Sequence, residues 1–309
     1  MRRIASRKAA GLGTGSRSRA QRGFTLVELI ISITLLSTLA LVVVPMLRMP
    51  MAAYLEAGTR ADVTGQLDMV QGRLRADLAR ALPNSVRLRS VGARRLLEFL
   101  EVRAHGRHRA GLSAGIPVCP LFCALPGNND SLETTCTERC FTSLGPLTGD
   151  APVPGNDYVV VNPLGPGVPG GDPYFGGAAP VAGGIKTRLT ALAAAPGGAR
   201  LDLTPHSFPA LAASRRFFVV AGPVSYECDP ATGRLTRYDG YAITALQPAA
   251  FGAAPSALVA DSVAACSFGY TSTGARGGLV TLSMRFTRNA AAGATESTEL
   301  VLSAPVLEP

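Results

Sequence analysis

The 309-residue sequence is short of charge: Lys, Arg, Asp and Glu together make up 17% of it, against 47% hydrophobic residues. A disordered, charge-rich chain is thereby excluded. Its 34 glycines and 23 prolines follow no three-residue period, which excludes a collagen-like rod. Six cysteines are too dilute for a small disulfide-stapled scaffold. Only three histidines are present, His105, His108 and His206, read as surface or loop imidazoles, and no H-E-x-x-H pair occurs among them. Neither a Walker loop nor a dinucleotide fingerprint is found. Gly111-Leu-Ser113-Ala-Gly115 does match the G-x-S-x-G pattern of a hydrolase nucleophile elbow. That motif needs a strand before its serine and a helix after it. Arg107-His108-Arg109 precedes it and Pro117 soon follows, so Ser113 is read as loop. Asn128-Asn129-Asp130 lacks a calcium-loop pattern and is read as turn chemistry. No catalytic residue, metal or cofactor is expected, and the chain is not read as an enzyme.

Acidic residues are missing altogether from positions 1–23, which carry seven basic ones: Arg2, Arg3, Arg7, Lys8, Arg17, Arg19 and Arg22. They account for seven of the nine units of net charge and leave 23 basic against 21 acidic residues in the rest. The +9 is therefore an orientation signal rather than a nucleic-acid signature. From Leu29 to Leu47 nineteen residues pass without a charge. A bilayer span needs roughly 17–25 apolar residues, so this stretch can cross one, with the basic end held in the cytoplasm. An ordinary signal peptide fits poorly, because the run exceeds the usual length and no A-x-A site follows. Glu28 stands at the start of the run, where an ionised carboxylate needs a partner. Cleavage between Gly23 and Phe24 would create an α-amine about 6 Å along the helix axis from it. A neighbouring helix shifted by one turn would bring its own amine to this carboxylate.

The string Arg22-Gly23-Phe24-Thr25-Leu26-Val27-Glu28 resembles the processing site of type IV prepilins and type II secretion pseudopilins. Pro45 matches that family's common helix kink. The resemblance implies removal of residues 1–23 by a prepilin peptidase that also N-methylates Phe24, and subunit assembly through Phe24 and Glu28. It implies a single-pass chain of the bacterial inner membrane, N-terminus cytoplasmic and head periplasmic, later moved into a fibre by an inner-membrane assembly platform with other major and minor pilins. The strong match covers about residues 22–50. More locally, Phe217–Pro230, Leu235–Tyr238 and Cys266–Tyr270 look like the O-type minor pilin of the mannose-sensitive haemagglutinin pilus system.

Beyond the span (24–47), Leu67, Val70, Leu74 and Leu78 keep helical spacing, so residues 48–82 read as an amphipathic continuation that Pro83 stops. Pro50, Gly58, Gly65 and Gly72 weaken its middle, and a bent or partly melted helix is expected there. Residues 83–309 read as a β-rich head. Strands are expected at Leu96–Val102, Tyr158–Val161, Phe217–Val220, Val224–Cys228, Leu235–Tyr241, Leu279–Phe286 and Glu299–Leu302, with a turn at Asp229–Arg234. No βαβ alternation occurs, so the fold class is α+β: a long N-terminal helix packed on an antiparallel sheet. Residues 111–156 and 162–184 look like insertions, the second with eight Gly and five Pro in 23 positions.

Cys119-x3-Cys123 and Cys136-x3-Cys140 are symmetric about residues 124–135, which suits nested disulfides Cys119–Cys140 and Cys123–Cys136. A four-cysteine zinc site and pairing within each step are the alternatives. Cys228 and Cys266 then pair by elimination. Seven arginines between Arg87 and Arg109 either form a nucleic-acid surface or guard strand edges.

The leading reading is a minor pilin, since a head of about 227 residues exceeds what repeated polymerisation of a major pilin favours. A J-type minor pseudopilin of type II secretion, a DNA-uptake minor pilin and a membrane-anchored enzyme are the other readings.

Overall fold

Thr25 opens the long helix α1 (Leu26–Ala79): its Oγ1 accepts the Glu28 amide at 3.3 Å, and its carbonyl accepts the Leu29 amide at 3.1 Å. Thr-x-x-Glu ahead of an apolar run is the sequence signature of a capped N-terminus. The computed structural model describes residues 24–109, 131–274, 277–289 and 295–307. The chain divides into two units, Met1–Tyr54 and Leu55–Pro309. α1 is helical without a break through Pro50 and Gly58, so the expected melting of its middle is not seen. No side chain stands within 4 Å of a Cβ built on Gly58, Gly65 or Gly72, so their small size is not used for packing.

In the second unit, thirteen strands follow: β1 (Arg87–Val91), β2 (Arg94–Arg107), β3 (Glu138–Thr142), β4 (Thr148–Gly149), β5 (Tyr158–Val161), β6 (Lys186–Ala195), β7 (Gly198–His206), β8 (Arg216–Asp229), β9 (Arg234–Tyr238), β10 (Ser256–Ala260), β11 (Val263–Ser272), β12 (Gly277–Asn289) and β13 (Thr295–Leu307). Ten form one sheet, ordered β1-β2-β8-β5-β6-β7-β3, with β4 on β2, β9 on β8 and β10 on β9; the other three form a sheet β11-β12-β13. Every strand pair is antiparallel. This is the α+β arrangement of a pilin-like chain, an apolar N-terminal helix with an antiparallel β head.

β5 shows how the sequence dictates burial. Tyr158 and Val160 face one apolar cluster with Leu100, Tyr174 and Phe218, while Val159 and Val161 face another with Phe141, Leu201 and Phe217. A strand covered on both faces reads as an unbroken apolar run, which Tyr-Val-Val-Val is. A third cluster joins the C-terminal half of α1, through Val70, Leu74 and Leu78, to Leu97, Phe99 and Tyr226 of the large sheet and Leu282, Met284 and Phe286 of the small one. Removing such side chains from water contributes about 2 kcal/mol each.

β8 differs from the two strands expected there. It is one 14-residue strand that crosses Gly222-Pro223: Ala221 is an extra residue opposite Glu101/Val102, and Arg103, an extra residue on β2 between Val102 and Ala104, restores the register. Residues 111–156 also contain β3 and β4, and both add to the large sheet. Residues 162–184 contain no strand, yet their interior is packed: Tyr174 is fully buried and its hydroxyl donates to the Ser85 carbonyl at 2.8 Å. Asp172 organises this loop by accepting the Gly167 amide at 2.9 Å and the Tyr174 amide at 2.8 Å.

Lys186 ties the same loop down by donating to the Phe175 carbonyl, and it is 1% exposed. Burial pulls its ammonium from 10.5 to about 8, against the opposing influence of Asp172. Between those values the unfolded chain holds a proton that the folded chain has released, so stability rises with pH across that window. Tyr174, Tyr226, Tyr238, Tyr241 and Tyr270 are raised by burial, and the stability they lose sets in as the pH approaches 10, where the unfolded chain's phenols ionise. Chemical denaturation between about pH 8 and 9 should show a rising midpoint in the parent chain and a flatter one in Lys186→Met. Equal slopes in the two would refute the assignment to Lys186.

Candidate functional site

Between Leu26 and Leu47 the side chains other than Glu28 need nothing but lipid or another helix. Leu26–Leu47 has a mean hydropathy of 2.5 and none of it is buried. Its hydroxyls are satisfied within the helix: Ser32 donates to the Glu28 carbonyl at 2.7 Å and Ser37 to that of Ile33 at 2.7 Å. Thr34 donates to Ile31 and Thr38 to Leu35, each at 2.9 Å. Such internal pairing is what a segment in hydrocarbon requires. Glu28 is the single ionisable side chain between Phe24 and Leu47, and it is exposed on the first turn. Phe24 is 73% exposed beside it. Gly23, the expected cleavage position, lies outside the described residues, as do Ser113 and Asn128–Asp130.

Cysteines anchor the head. Cys228 on β8 and Cys266 on β11 form a disulfide that links the two sheets. Closing a loop of that separation stabilises by about 3–4 kcal/mol in the chain-entropy account. Cys136 and Cys140 are both disulfide-bonded. The nested pairing expected for them rests on Cys119 and Cys123, which lie outside the described residues. Among the described residues no group of His, Cys, Asp and Glu is arranged to hold a metal.

The arginine cluster serves the fold. Arg87 pairs with the buried Glu98 at 2.6 Å and lies over the Tyr174 ring, 3.7 Å from its centroid. Arg94 pairs with Glu227 at 2.5 Å and Arg103 with Asp157 at 2.9 Å. Arg89 donates to the Gln247 carbonyl, Arg95 to that of Gly92 at 2.8 Å and Arg107 to that of Ser214 at 3.3 Å. A phosphate-tracking surface needs its guanidinium groups turned to solvent. Arg87, Arg94 and Arg103 are instead engaged by carboxylates of the head, while Arg89 and Arg107 are exposed. Burial raises the Glu98 carboxyl above the usual range although Arg87 pulls it down. Two of the three histidines depart from the surface or loop imidazoles expected: His108 and His206 are buried, with His206 Nε2 2.7 Å from the Gly184 carbonyl, while His105 is half-buried on β2. All three are lowered by burial, His105 also by Arg216.

A polar centre that escaped the sequence reading joins α1 to the large sheet within the second unit. Asp77 Oδ2 accepts the Tyr226 hydroxyl at 2.7 Å and Arg237 Nε at 2.5 Å, and Arg73 approaches Oδ1 at 3.5 Å. Arg237 also pairs with Asp239. The signal was present in the sequence: Asp77 falls three residues after Leu74, on the same apolar stripe, where a carboxylate demands a buried cation.

A family model described as the prokaryotic N-terminal methylation motif matches residues 18–44. No curated protein and no solved structure matches the chain. The motif supports a type IV pilin-like or pseudopilin chain, processed by a prepilin peptidase and anchored in a membrane by one apolar helix. It spans the leader junction and that helix, and leaves the head to be judged on its own structure.

Proposed function

We propose that this chain is a minor subunit of a type IV pilus-like fibre, of the mannose-sensitive haemagglutinin type. It is assembled after cleavage behind Gly23 and N-methylation of Phe24, and acts in pilus biogenesis and priming. The observation that carries the reading is the union of the methylation motif with a helix whose polar groups are internally satisfied and which keeps one carboxylate, Glu28, at its first turn. The chain waits in the inner membrane with its head outside, and extraction into the fibre exchanges lipid contacts along residues 24–47 for helix–helix contacts. The amine of one subunit's Phe24 and the Glu28 carboxylate of the next neutralise each other in that apolar core, where either alone is strongly unfavourable. A J-type pseudopilin of type II secretion shares both features, and neighbouring pilus or secretion genes discriminate the two. A DNA-uptake minor pilin is the second alternative, and the ion pairs of Arg87, Arg94 and Arg103 leave fewer of the clustered arginines to serve it.

The test is an intact mass of the chain extracted from the membranes of its own host. The expected species begins at Phe24 and carries one additional methyl group. A chain that retains residues 1–23 would sink the proposal.

A further inference from the structure

α1 begins at Leu26, and Phe24 and Thr25 stand outside it. Thr25 Oγ1 accepts the Glu28 amide at 3.3 Å, and the Thr25 carbonyl accepts the Leu29 amide at 3.1 Å. Thr25 is therefore the N-cap: its side chain satisfies one of the amides that a helix start leaves without an intrahelical acceptor. The hydroxyls that follow, on Ser32, Thr34, Ser37 and Thr38, all donate to carbonyls of the helix. Thr25 differs from them in accepting, and it is the second residue beyond the expected cleavage point.

The sequence offers a second cap upstream. Ser18-Arg19-Ala20-Gln21 is also a capping signature, a serine followed three residues later by a glutamine. A helix begun at Ser18 would run through Gly23 and Phe24 into α1. The Phe24 amide would then bond back to the Ala20 carbonyl, and the Gly23 carbonyl would accept the Val27 amide. Arg19, Ala20, Gln21 and Arg22 are good helix formers, and only Gly23 resists the extension. A peptidase has to reach the carbonyl and the amide of the bond it cuts, and a helix interior spends both on its own backbone. The two caps are thus competing helix starts, and only the downstream one leaves the Gly23–Phe24 bond outside the helix.

We propose that Thr25 is a positioning residue for leader removal: its cap holds the start of α1 at Leu26 and so keeps the Gly23–Phe24 bond open to the peptidase. Thr25 acts through the backbone, so any capping side chain serves. Valine has the shape of threonine without the acceptor, whereas asparagine has another shape and caps well. Loss of a cap of ordinary strength shifts the balance between helix starts about five-fold. This inference rests on the reading of residues 22–28 as a processing site and assigns a role within it.

The test follows the pulse-labelled full-length chain in its host, with precursor and mature forms separated by mass. The rate is taken from the mature fraction of membrane-bound chain, so that a change in insertion does not enter. Thr25→Val is expected to mature about five-fold more slowly than the parent, while Thr25→Ser and Thr25→Asn keep the parent rate. Adding Ser18→Ala to Thr25→Val removes the competing cap and should restore much of the lost rate. Thr25→Val at the parent rate, Thr25→Asn as slow as Thr25→Val, or no recovery in the double variant overturns the proposal. The second of these outcomes would mean that the peptidase reads the shape of the side chain instead of the helix start. A parent chain that retains residues 1–23 removes the processing reading and this inference together. A parent that matures no faster than Thr25→Val removes this inference alone.

Discussion

Glu28→Ala is expected to leave leader cleavage behind Gly23 intact and to lower recovery of the chain in sheared fibres at least about a hundred-fold. The magnitude follows from what the substitution strands. In an assembled core, the amine of the neighbouring Phe24 would be left without a partner in apolar surroundings, and breaking such a buried pair costs about 3–5 kcal/mol. Each 1.4 kcal/mol is a factor of ten. Glu28→Gln should behave nearly as badly, since an amide satisfies a hydrogen bond but not a charge. Gly23→Ala should fail earlier, with the whole chain held in the membrane fraction and its leader uncut. Immunoblots of membrane and sheared-fibre fractions, read beside the masses of the chain, distinguish the two blocks. Normal incorporation of both Glu28→Ala and Gly23→Ala would falsify the assembly mechanism.

Asp77→Ala should destabilise the head by about 3 kcal/mol, because it leaves the Tyr226 hydroxyl without its acceptor and the Arg237 guanidinium with Asp239 alone. Denaturant titration of the full-length chain in mild detergent, followed by tyrosine fluorescence, measures this as a lower midpoint. Asp77→Asn should cost less, since it still accepts the Tyr226 hydroxyl. Replacing both ends together, Asp77→Leu with Arg237→Met, should recover much of the loss, as a buried pair exchanged for apolar groups of similar size is often close to neutral. If Asp77→Ala shifts the midpoint by less than about 1 kcal/mol, the salt bridge is not the anchor that its burial and distances indicate.

The N-terminal unit was legible in the sequence because its signals are local. A basic segment, a carboxylate and an uncharged run of membrane length need no tertiary partner to be recognised. β5 was legible for the same reason, since its four apolar residues are buried on both sides. What escaped depends on distant partners. β6 ends in the alanines Ala193, Ala194 and Ala195, which have weak strand preference, and it pairs with β7 because Ala195-Pro196-Gly197-Gly198 closes a hairpin, with Gly197 at φ 77°. Gly222-Pro223 read as a break because the compensating register shift sits on β2, more than a hundred residues away. The arginine cluster was ambiguous in isolation, since Glu227 and Asp157 come to Arg94 and Arg103 only through sheet order. The carboxylate on the helix stripe was readable in principle, and its partner, Arg237, was not.

The Cys228–Cys266 bond has a mechanical consequence. In the proposed fibre the subunit would be a link in a chain under tension, and its weak point would be the length of polypeptide it releases before the next link feels the load. The 38 residues of separation between these cysteines, roughly 130 Å of contour, are withheld from any such extension. With the bond in place, β9, β10 and the start of β11 stay inside a closed covalent loop, and pulling on the head transmits force across it instead of unravelling it.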